Sequence, residues 1–478
     1  MKLSNLLKDV DVFCTYEDVE VERVTDNNKE NLKNSLFVCI DGNRVDGHTL
    51  VKSAINGGAV AVLTSTDLKI PNQIIVENTR EAYSKISANF YGNPAKKMKL
   101  IGVTGTNGKT STSFLIKGIL ENLGKKCGII GTIKNSVGNS DSEATLTTPE
   151  PMKLQKLLRQ MVNNGCEYCV MEVSSQGLHQ GRVYGLQFVA SVLTNITPEH
   201  LDYHGNMQNY IDAKLQLFDN TEFACINIDD DNVKSVINRI KCPYKTVSAI
   251  SNNADYTAKN IVCNENGIKY EFVGMDCIGR IELKIPGRFT VYNSLCAIAI
   301  TYELGFSIDE IANALKNLDF VKGRAEIVPL NKNFTVMIDY AHTPDGLQSI
   351  LECVREIAKG RVITVFGCGG DRDKSKRAEM GRIAGDLSDI TVVTSDNPRN
   401  ENPLLIINDI LCGMEKVKSR IAVIENRRQA IEFALSKARK DDLVLLAGKG
   451  HEIYQIIGNE KKPFDEREIV KSYFENKF

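Results

Sequence analysis

Six residues constrain this chain more than any others: Gly105-Thr106-Asn107-Gly108-Lys109-Thr110, set between an apolar run and an amphipathic one. Leu100–Thr104 has the length and composition of a buried strand. Ser111–Leu123 carries Leu115, Ile116, Ile119, Leu120 and Leu123 at helical spacing, and Gly124 supplies a stop. Strand, glycine-rich turn and helix in this order point to an α/β fold, and they also build an anion site. Glycines let backbone N–H groups approach phosphate oxygens, and the helix N-terminus adds its dipole. Lys109 can reach β- and γ-phosphates, and the Thr110 hydroxyl suits Mg2+. The long form G-x-x-x-x-G-K-[ST] needs glycine at 103. This chain has Val103, so its loop is the shorter G-x-x-G-K-T form.

The same rhythm continues. Pro151 opens a helix with Leu154, Leu157, Leu158, Met161 and Val162, which Gly165 closes. Strand-like runs follow at 168–173, 189–194 and 223–228. Before the loop, residues 1–97 hold two strand-like runs (35–40 and 60–64) around a helical stretch at 51–56, and Tyr91-Gly92-Asn93-Pro94 breaks the pattern. Beyond Gly323-Arg324 a second alternating series begins: 335–338, 362–366, 390–394 and 443–447. Each run ends in a polar loop: DYAHTPDG, GCGGDRDKSK, SDNPRNENP and GKGHE. Carboxyl ends of parallel strands are where such sheets bind ligands. The expected fold is therefore α/β in three domains: a small N-terminal α/β domain (1–97), a central phosphate-loop ATPase-like parallel sheet (98–325) and a C-terminal Rossmann-like domain (326–478). A length of 478 residues suits three domains.

Composition narrows the function. Lys plus Arg is 59 and Asp plus Glu is 60, for a net charge of −1. That argues against a nucleic-acid coat or a polybasic membrane binder. No apolar run is long enough to span a bilayer, and the first residues lack a signal-peptide pattern. Thirteen Cys, an odd number without zinc spacing, read as buried thiols of a reducing cytoplasm. Only six His occur (48, 179, 200, 204, 342 and 451). Glu172 ends one strand-like run and His200 follows the next. Near a phosphate loop these two are candidate metal ligands, although a lone Glu or His is more often structural.

Taken in order, GTNGKTST, MEVSSQGL, NITPEHLDYHG, Tyr210-Ile211-Asp212-Ala213-Lys214, DYAHTPDGL, GCGGDRDKSKR, DNPR and GKGHEIYQ resemble the Mur ligases of peptidoglycan synthesis over nearly the whole chain. The resemblance implies a three-domain ligase. ATP phosphorylates the D-Glu carboxylate of UDP-N-acetylmuramoyl-L-Ala-D-Glu, an amine attacks the acyl phosphate, and phosphate leaves. It implies that Gly105, Thr106, Asn107, Gly108, Lys109, Thr110 and Ser111 bind ATP together with Asn293, Arg324 and Asp339. Thr110, Glu172 and His200 would hold Mg2+, joined by Lys214 as a carbamate; without the resemblance, Lys214 reads as a surface helix residue. Lys109, Glu172, His200 and Lys214 would carry the catalysis. The family's usual Asn is replaced by Thr290. Thr147, Thr148, Ser174, Gln180 and Arg182 match positions contacting the UDP-muramoyl-dipeptide. Asn27 is carried to its uracil or diphosphate end, where the family's Asp-Ser-Arg is replaced by Asp26-Asn27-Asn28.

The added amino acid is read from Asp396-Asn397-Pro398-Arg399. In similar enzymes this segment marks meso-diaminopimelate, whose distal carboxylate needs a cation. Arg399 offers a planar two-point clamp, and Arg372 is the second basic contact. Asp396, Asn397, Pro398, Gly448 and Glu452 would complete the amino-acid pocket. A lysine substrate would leave Arg399 unpaired. The competing readings are a lysine-adding or later ligase of the pathway, a folylpolyglutamate synthase, and, from another class, a nucleotide-hydrolysing switch. DNPR and GKGHEIYQ argue against the siblings. The absence of a guanine-reading N-K-x-D segment argues against the switch. The expected protein is a cytoplasmic monomer that binds no nucleic acid and does not insert into membranes.

Overall fold

The computed structural model describes residues 1–478 except 43–44, 139, 319–320 and 476–478. Its strands form three main sheets, at 23–75, 99–283 and 326–447, and a hairpin at 454–463.

The first sheet has four parallel strands in chain order: Arg23–Thr25, Ser35–Val38, Ala59–Thr64 and Gln73–Ile75. The helix Thr79–Phe90 follows, capped by Asn78, whose side chain accepts from the N–H groups of Arg80 and Glu81.

In the second sheet the strand Lys99–Thr104 lies between Ala190–Leu193 and Tyr168–Glu172. Its neighbours are parallel, and the registers pair Thr104 with Leu193 and Val103 with Glu172. The phosphate loop therefore leaves the sheet at the edge where Glu172 and the segment after Leu193 also leave it. All five residues of Tyr168–Glu172 are buried, as expected of a strand covered on both faces. Seven strands run parallel here, from Cys127–Ile130 across to Tyr256–Asn264.

The helix after the loop is Lys109–Asn122. Leu115, Ile116, Ile119 and Leu120 form its buried stripe, in one cluster with Val291, Leu295 and Ile298 of the helix Arg288–Glu303. Each such side chain contributes about 1.5–3 kcal/mol on burial, so Leu120→Ala would cost roughly 2–5 kcal/mol.

Antiparallel edges extend this sheet at both ends: Lys134–Val137 with Ser140–Glu143, and Tyr256–Asn264 with Gly267–Val273 and Ile278–Leu283. The apolar runs alone do not reveal these strands. Ile278–Leu283 buries only alternate residues, and the pairing of Tyr256–Asn264 shifts register between Lys259 and Val262.

The third sheet orders its strands 326–327, 335–339, 443–447, 362–366, 390–393 and 420–423, parallel except for the first. The four polar loops follow Asp339, Phe366, Val393 and Ala447. The registers pair Asp339 with Ala447 and Phe366 with Val393, so all four emerge on one edge. No described helix is long and apolar enough to cross a membrane.

Candidate active site

A cavity of about 1400 Å3 opens between the carboxyl ends of the second and third sheets. Lys109, Arg182, Arg324, Arg372 and Arg399 all line it, interleaved with carboxylates that include Glu172, Glu199, Asp396 and Glu452.

The phosphate loop is held in shape by its glycines and by its own lysine. Gly108 has φ +86°, and a Cβ there would strike the Asn293 side chain. Lys109 Nζ donates to the carbonyls of Gly105 (2.9 Å) and Thr106 (2.7 Å). Burial pulls the Lys109 ammonium below its usual range, opposed by the charges of Glu199 and Glu172. Thr110 Oγ1 donates to Glu172 Oε2 at 2.9 Å and accepts from Arg324 Nη2 at 3.2 Å. The fully buried Glu172 also accepts from the N–H and hydroxyl of Thr132, both at 2.9 Å. Asn293 Oδ1 accepts from Thr112 Oγ1 at 3.3 Å, which places it beside the loop.

His200 lies in the cleft with φ +55°, a strained conformation of the kind found at functional sites. Desolvation lowers its pKa, favouring the neutral imidazole that a metal ion requires. Its Nε2 is 3.9 Å from Glu199. Glu199 was not among the expected residues. Burial would raise its carboxyl, but His342, His200 and Lys109 around it hold it well below the carboxylate range.

Lys214 lies in the helix Met207–Leu215 and is not the surface residue it reads as without the family resemblance. In the structure Lys214 is 1 % exposed, over the Tyr210 ring, with Nζ donating to Gly105 O at 2.7 Å. Burial, then the charge of Lys109, lowers its pKa far below that of a free lysine. A neutral amine is the form that can take up carbon dioxide.

Among the described residues no three His, Cys, Asp or Glu side chains cluster as a metal cage. The donors fit Mg2+ nonetheless. That ion is held by one or two carboxylates together with substrate phosphates, and here a hydroxyl and a buried carboxylate meet at the phosphate loop.

The residues matched to the UDP-muramoyl-dipeptide divide. Thr147 and Ser174 line the large cavity, Arg182 lines both cavities, and Gln180 lines a second of about 430 Å3 with Asp26, Arg80, Tyr83 and Glu150. Arg182 pairs with Glu150 at 2.7 Å and donates to Thr148 O at 2.8 Å. Thr148 is fully buried and braces the strand end, donating to Glu172 O and accepting from Ser174 N, both at 2.9 Å. Asn27 lines neither cavity. Its Oδ1 accepts from Lys29 N in a surface turn, and its neighbour Asp26 faces the small cavity instead. Phe37 is core, and His48 bonds Asp46 and Ser65.

On the third sheet, Asp339 lines the large cavity, but its two oxygens accept from Ala325 N (2.7 Å) and Ala341 N (2.8 Å). It clamps the chain that carries Arg324. Arg372, Asp396, Asn397, Arg399, Gly448 and Glu452 all line the cavity; Pro398 is buried and does not. Arg399 Nη1 donates to Gly370 O at 2.8 Å. Desolvation, then the charge of Arg399, pulls the Arg372 guanidinium below its usual range, opposed by the charges of Asp202 and Asp371. Asn397 Nδ2 donates to Glu452 Oε2 at 2.9 Å. Sequence reasoning also missed Asp345, which accepts from the phosphate loop through Asn107 Nδ2 at 2.6 Å. Its place in the first turn of the helix Pro344–Ile357 was the available signal.

Such an arrangement defines a phosphate-loop α/β enzyme whose reaction space is closed by a second ligand-binding sheet. Models of three domains match the chain: "Mur ligase family, catalytic domain" over residues 31–94, "Mur ligase middle domain" over 103–301 and "Mur ligase, glutamate ligase domain" over 323–450. The chain belongs to the Mur ligase family. It is 44 % identical to UDP-N-acetylmuramoyl-L-alanyl-D-glutamate--2,6-diaminopimelate ligase 1 of Clostridium acetobutylicum, over 100 % of both chains. It is 46 % identical to the 2,6-diaminopimelate ligase of Caldanaerobacter subterraneus subsp. tengcongensis, over 98 % of both. A solved structure of a UDP-N-acetylmuramoyl-L-alanyl-D-glutamate--2,6-diaminopimelate ligase superposes with a TM-score of 0.71 at 28 % identity, covering 100 % of this chain and 99 % of that one. MurF from Acinetobacter baumannii shares the fold, with a TM-score of 0.66 at 17 % identity over 99 % of this chain and 98 % of that one.

Proposed function

We propose that this protein is an ATP-dependent ligase that joins meso-2,6-diaminopimelate to the D-Glu carboxylate of UDP-N-acetylmuramoyl-L-Ala-D-Glu, in peptidoglycan precursor synthesis. The observation that carries the reading is the shared cavity, in which the phosphate loop and the Arg372–Arg399 pair face one another. A carboxylate is a poor electrophile, and phosphorylation makes it reactive. Two anions must first be brought together, and Lys109, Arg324 and Arg182 supply the charge that allows it.

Thr110 and Glu172 would hold one Mg2+, and His200 with a carbamate on Lys214 a second. Bound there, such ions would supply positive charge to offset that of the phosphates. The lowered pKa of Lys214 suits carbamate formation. Asn293 lies beside the loop, where it can contact the nucleotide base. Arg399 and Arg372 clamp the distal carboxylate of diaminopimelate, while Asp396, Asn397 and Glu452 orient its distal ammonium. The other amino group is then free to attack the acyl phosphate. Residues 1–97 take the UDP end, 98–325 the chemistry and 326–478 the amino acid. Thirteen free cysteines suit the reducing cytoplasm.

Phosphate release should require both the UDP-muramoyl-dipeptide and meso-diaminopimelate. Equal turnover with L-lysine would overturn the specificity, and nucleotide hydrolysis without the dipeptide would overturn the ligase reading.

A further inference from the structure

Under the amino-acid end of the large cavity lies a charged side chain that does not line it. Lys449 is 0 % exposed. Its Nζ donates to Asn397 Oδ1 at 2.8 Å and to Glu452 Oε2 at 2.6 Å, and lies 3.9 Å from Asp396 Oδ1. Lys449 follows Gly448, whose φ of +112° turns the chain beneath the loop; a Cβ on Gly448 would come within 2.7 Å of Asp396 Oδ2.

We infer that Lys449 is a positioning residue for the diaminopimelate site, acting through Asn397 and Glu452. This rests on the ligase reading above.

Two geometric consequences follow from its bonds. The Asn397 amide is fixed in one orientation, because Oδ1 accepts from Lys449 Nζ and from Ile456 N (2.9 Å) while Nδ2 donates to Glu452. Glu452 Oε2 takes donors from both Lys449 and Asn397. Among the described residues Oε1 takes none, so it is left for a ligand ammonium.

Charge leads to the same place. Asp396 and Glu452 are two carboxylates at one end of the pocket, and the buried Lys449 ammonium lies between them. Without Lys449 the two carboxylates repel, and Glu452 loses a donor that holds its side chain in place. A charged group buried under a site with its donors assigned to the ligand-contacting side chains has the form of support that holds a binding geometry.

The test is steady-state phosphate release by the full-length protein, with each of the three substrates varied in turn, for wild type, Lys449→Met, Lys449→Gln and Lys449→Arg. The expected result for Met and Gln is a rise of at least about tenfold in KM for meso-diaminopimelate. The KM values for ATP and the UDP-muramoyl-dipeptide should stay within about twofold, and Arg, which keeps the cation, should fall between wild type and Met. Unchanged KM for meso-diaminopimelate in Met and Gln would overturn the inference. So would a uniform loss in kcat and all three KM values. If Met fails to fold, the Gln variant decides by the same criteria; if neither folds, Lys449 is a structural residue and the inference is overturned. A wild-type protein that fails to use meso-diaminopimelate would sink the ligase reading instead, so the two failures are distinguishable.

Discussion

Asn107 and Asp345 are 238 residues apart in sequence, yet Asn107 Nδ2 donates to Asp345 Oδ2 at 2.6 Å. Asn107 belongs to the phosphate loop, and Asp345 opens the helix that follows the first long strand of the third sheet. Asn195 Oδ1 fixes the Asn107 backbone from the other side, accepting its N–H at 2.8 Å. The state of the loop is thereby tied to the position of the sheet that carries Arg399. Asp345→Ala should lower kcat/KM for ATP by about tenfold, the worth of one hydrogen bond to a charged group. Small-angle scattering should show a larger radius of gyration in the nucleotide-bound variant than in nucleotide-bound wild type. An unchanged radius would separate the bond from domain closure.

Lys214→Ala should lose at least about a hundredfold in kcat, because a cation site would lose its carbamate oxygen. Excess bicarbonate should not restore it, since alanine has no amine. In wild type, 13C-labelled carbon dioxide should give a carbamate resonance that the variant lacks. Wild-type activity in Lys214→Ala would rule out the second-metal role.

Arg399→Lys keeps the charge and loses the fork. The expected fall in kcat/KM for meso-diaminopimelate is about 10- to 100-fold, with a smaller change for L-lysine. Discrimination between the two amino acids therefore narrows, as competing-substrate turnover would record. Equal losses for both would mean that Arg399 does not read the distal carboxylate.

Two histidines should make the fold acid-sensitive. Burial lowers His204 to about 4 and His451 to about 3. Their folded pKa values lie below the unfolded value near 6.5, so protonation favours the unfolded chain. This contribution to stability is complete above pH 6.5 and is lost as pH falls toward 4. Urea midpoints measured between pH 7 and pH 5 should fall less steeply in His204→Asn than in wild type. His204 Nε2 bonds Ser175 Oγ at 3.0 Å, a contact Asn can partly replace.

The third sheet depends on a buried ion pair. Arg427 Nε donates to Glu466 Oε1 at 2.9 Å with both side chains at 0 % exposure, and Arg427 Nη2 donates to Ala447 O at 2.8 Å. This ties the C-terminal helix to the strand end that carries Gly448 and Lys449. Arg427→Ala should destabilise the protein by about 3–5 kcal/mol, because Glu466 is left buried and unpaired. Denaturant unfolding would measure it.

The local elements of the site were legible in the sequence because their signals are local. Gly105–Thr110 between an apolar run and a 3.6-period stripe gives a loop and a helix from neighbouring residues alone. The runs ending at Glu172, Phe366 and Ala447 read as buried strands because parallel strands are apolar on both faces. DNPR and GKGHE were visible as polar loops at strand ends. The antiparallel edges were not, since Ser140–Glu143 is exposed throughout, Ile278–Leu283 buries only alternate residues and one pairing shifts register.

What the tertiary structure alone decided is which of these residues meet, and how far each is from water. Without the family resemblance Lys214 reads as a surface helix residue, and packing against Tyr210 and the phosphate loop buries it. Asn27 resembles a ligand contact in its motif, yet its side chain caps a turn while Asp26 faces the cavity. Glu199, Asp345 and Lys449 gain their importance from partners on other segments: His342, Asn107 and Asn397. Sequence determines what each residue can donate, accept or carry, because that is covalent chemistry. Proximity and dielectric belong to the folded chain, because burial and Coulombic coupling depend on distances that the sequence does not contain.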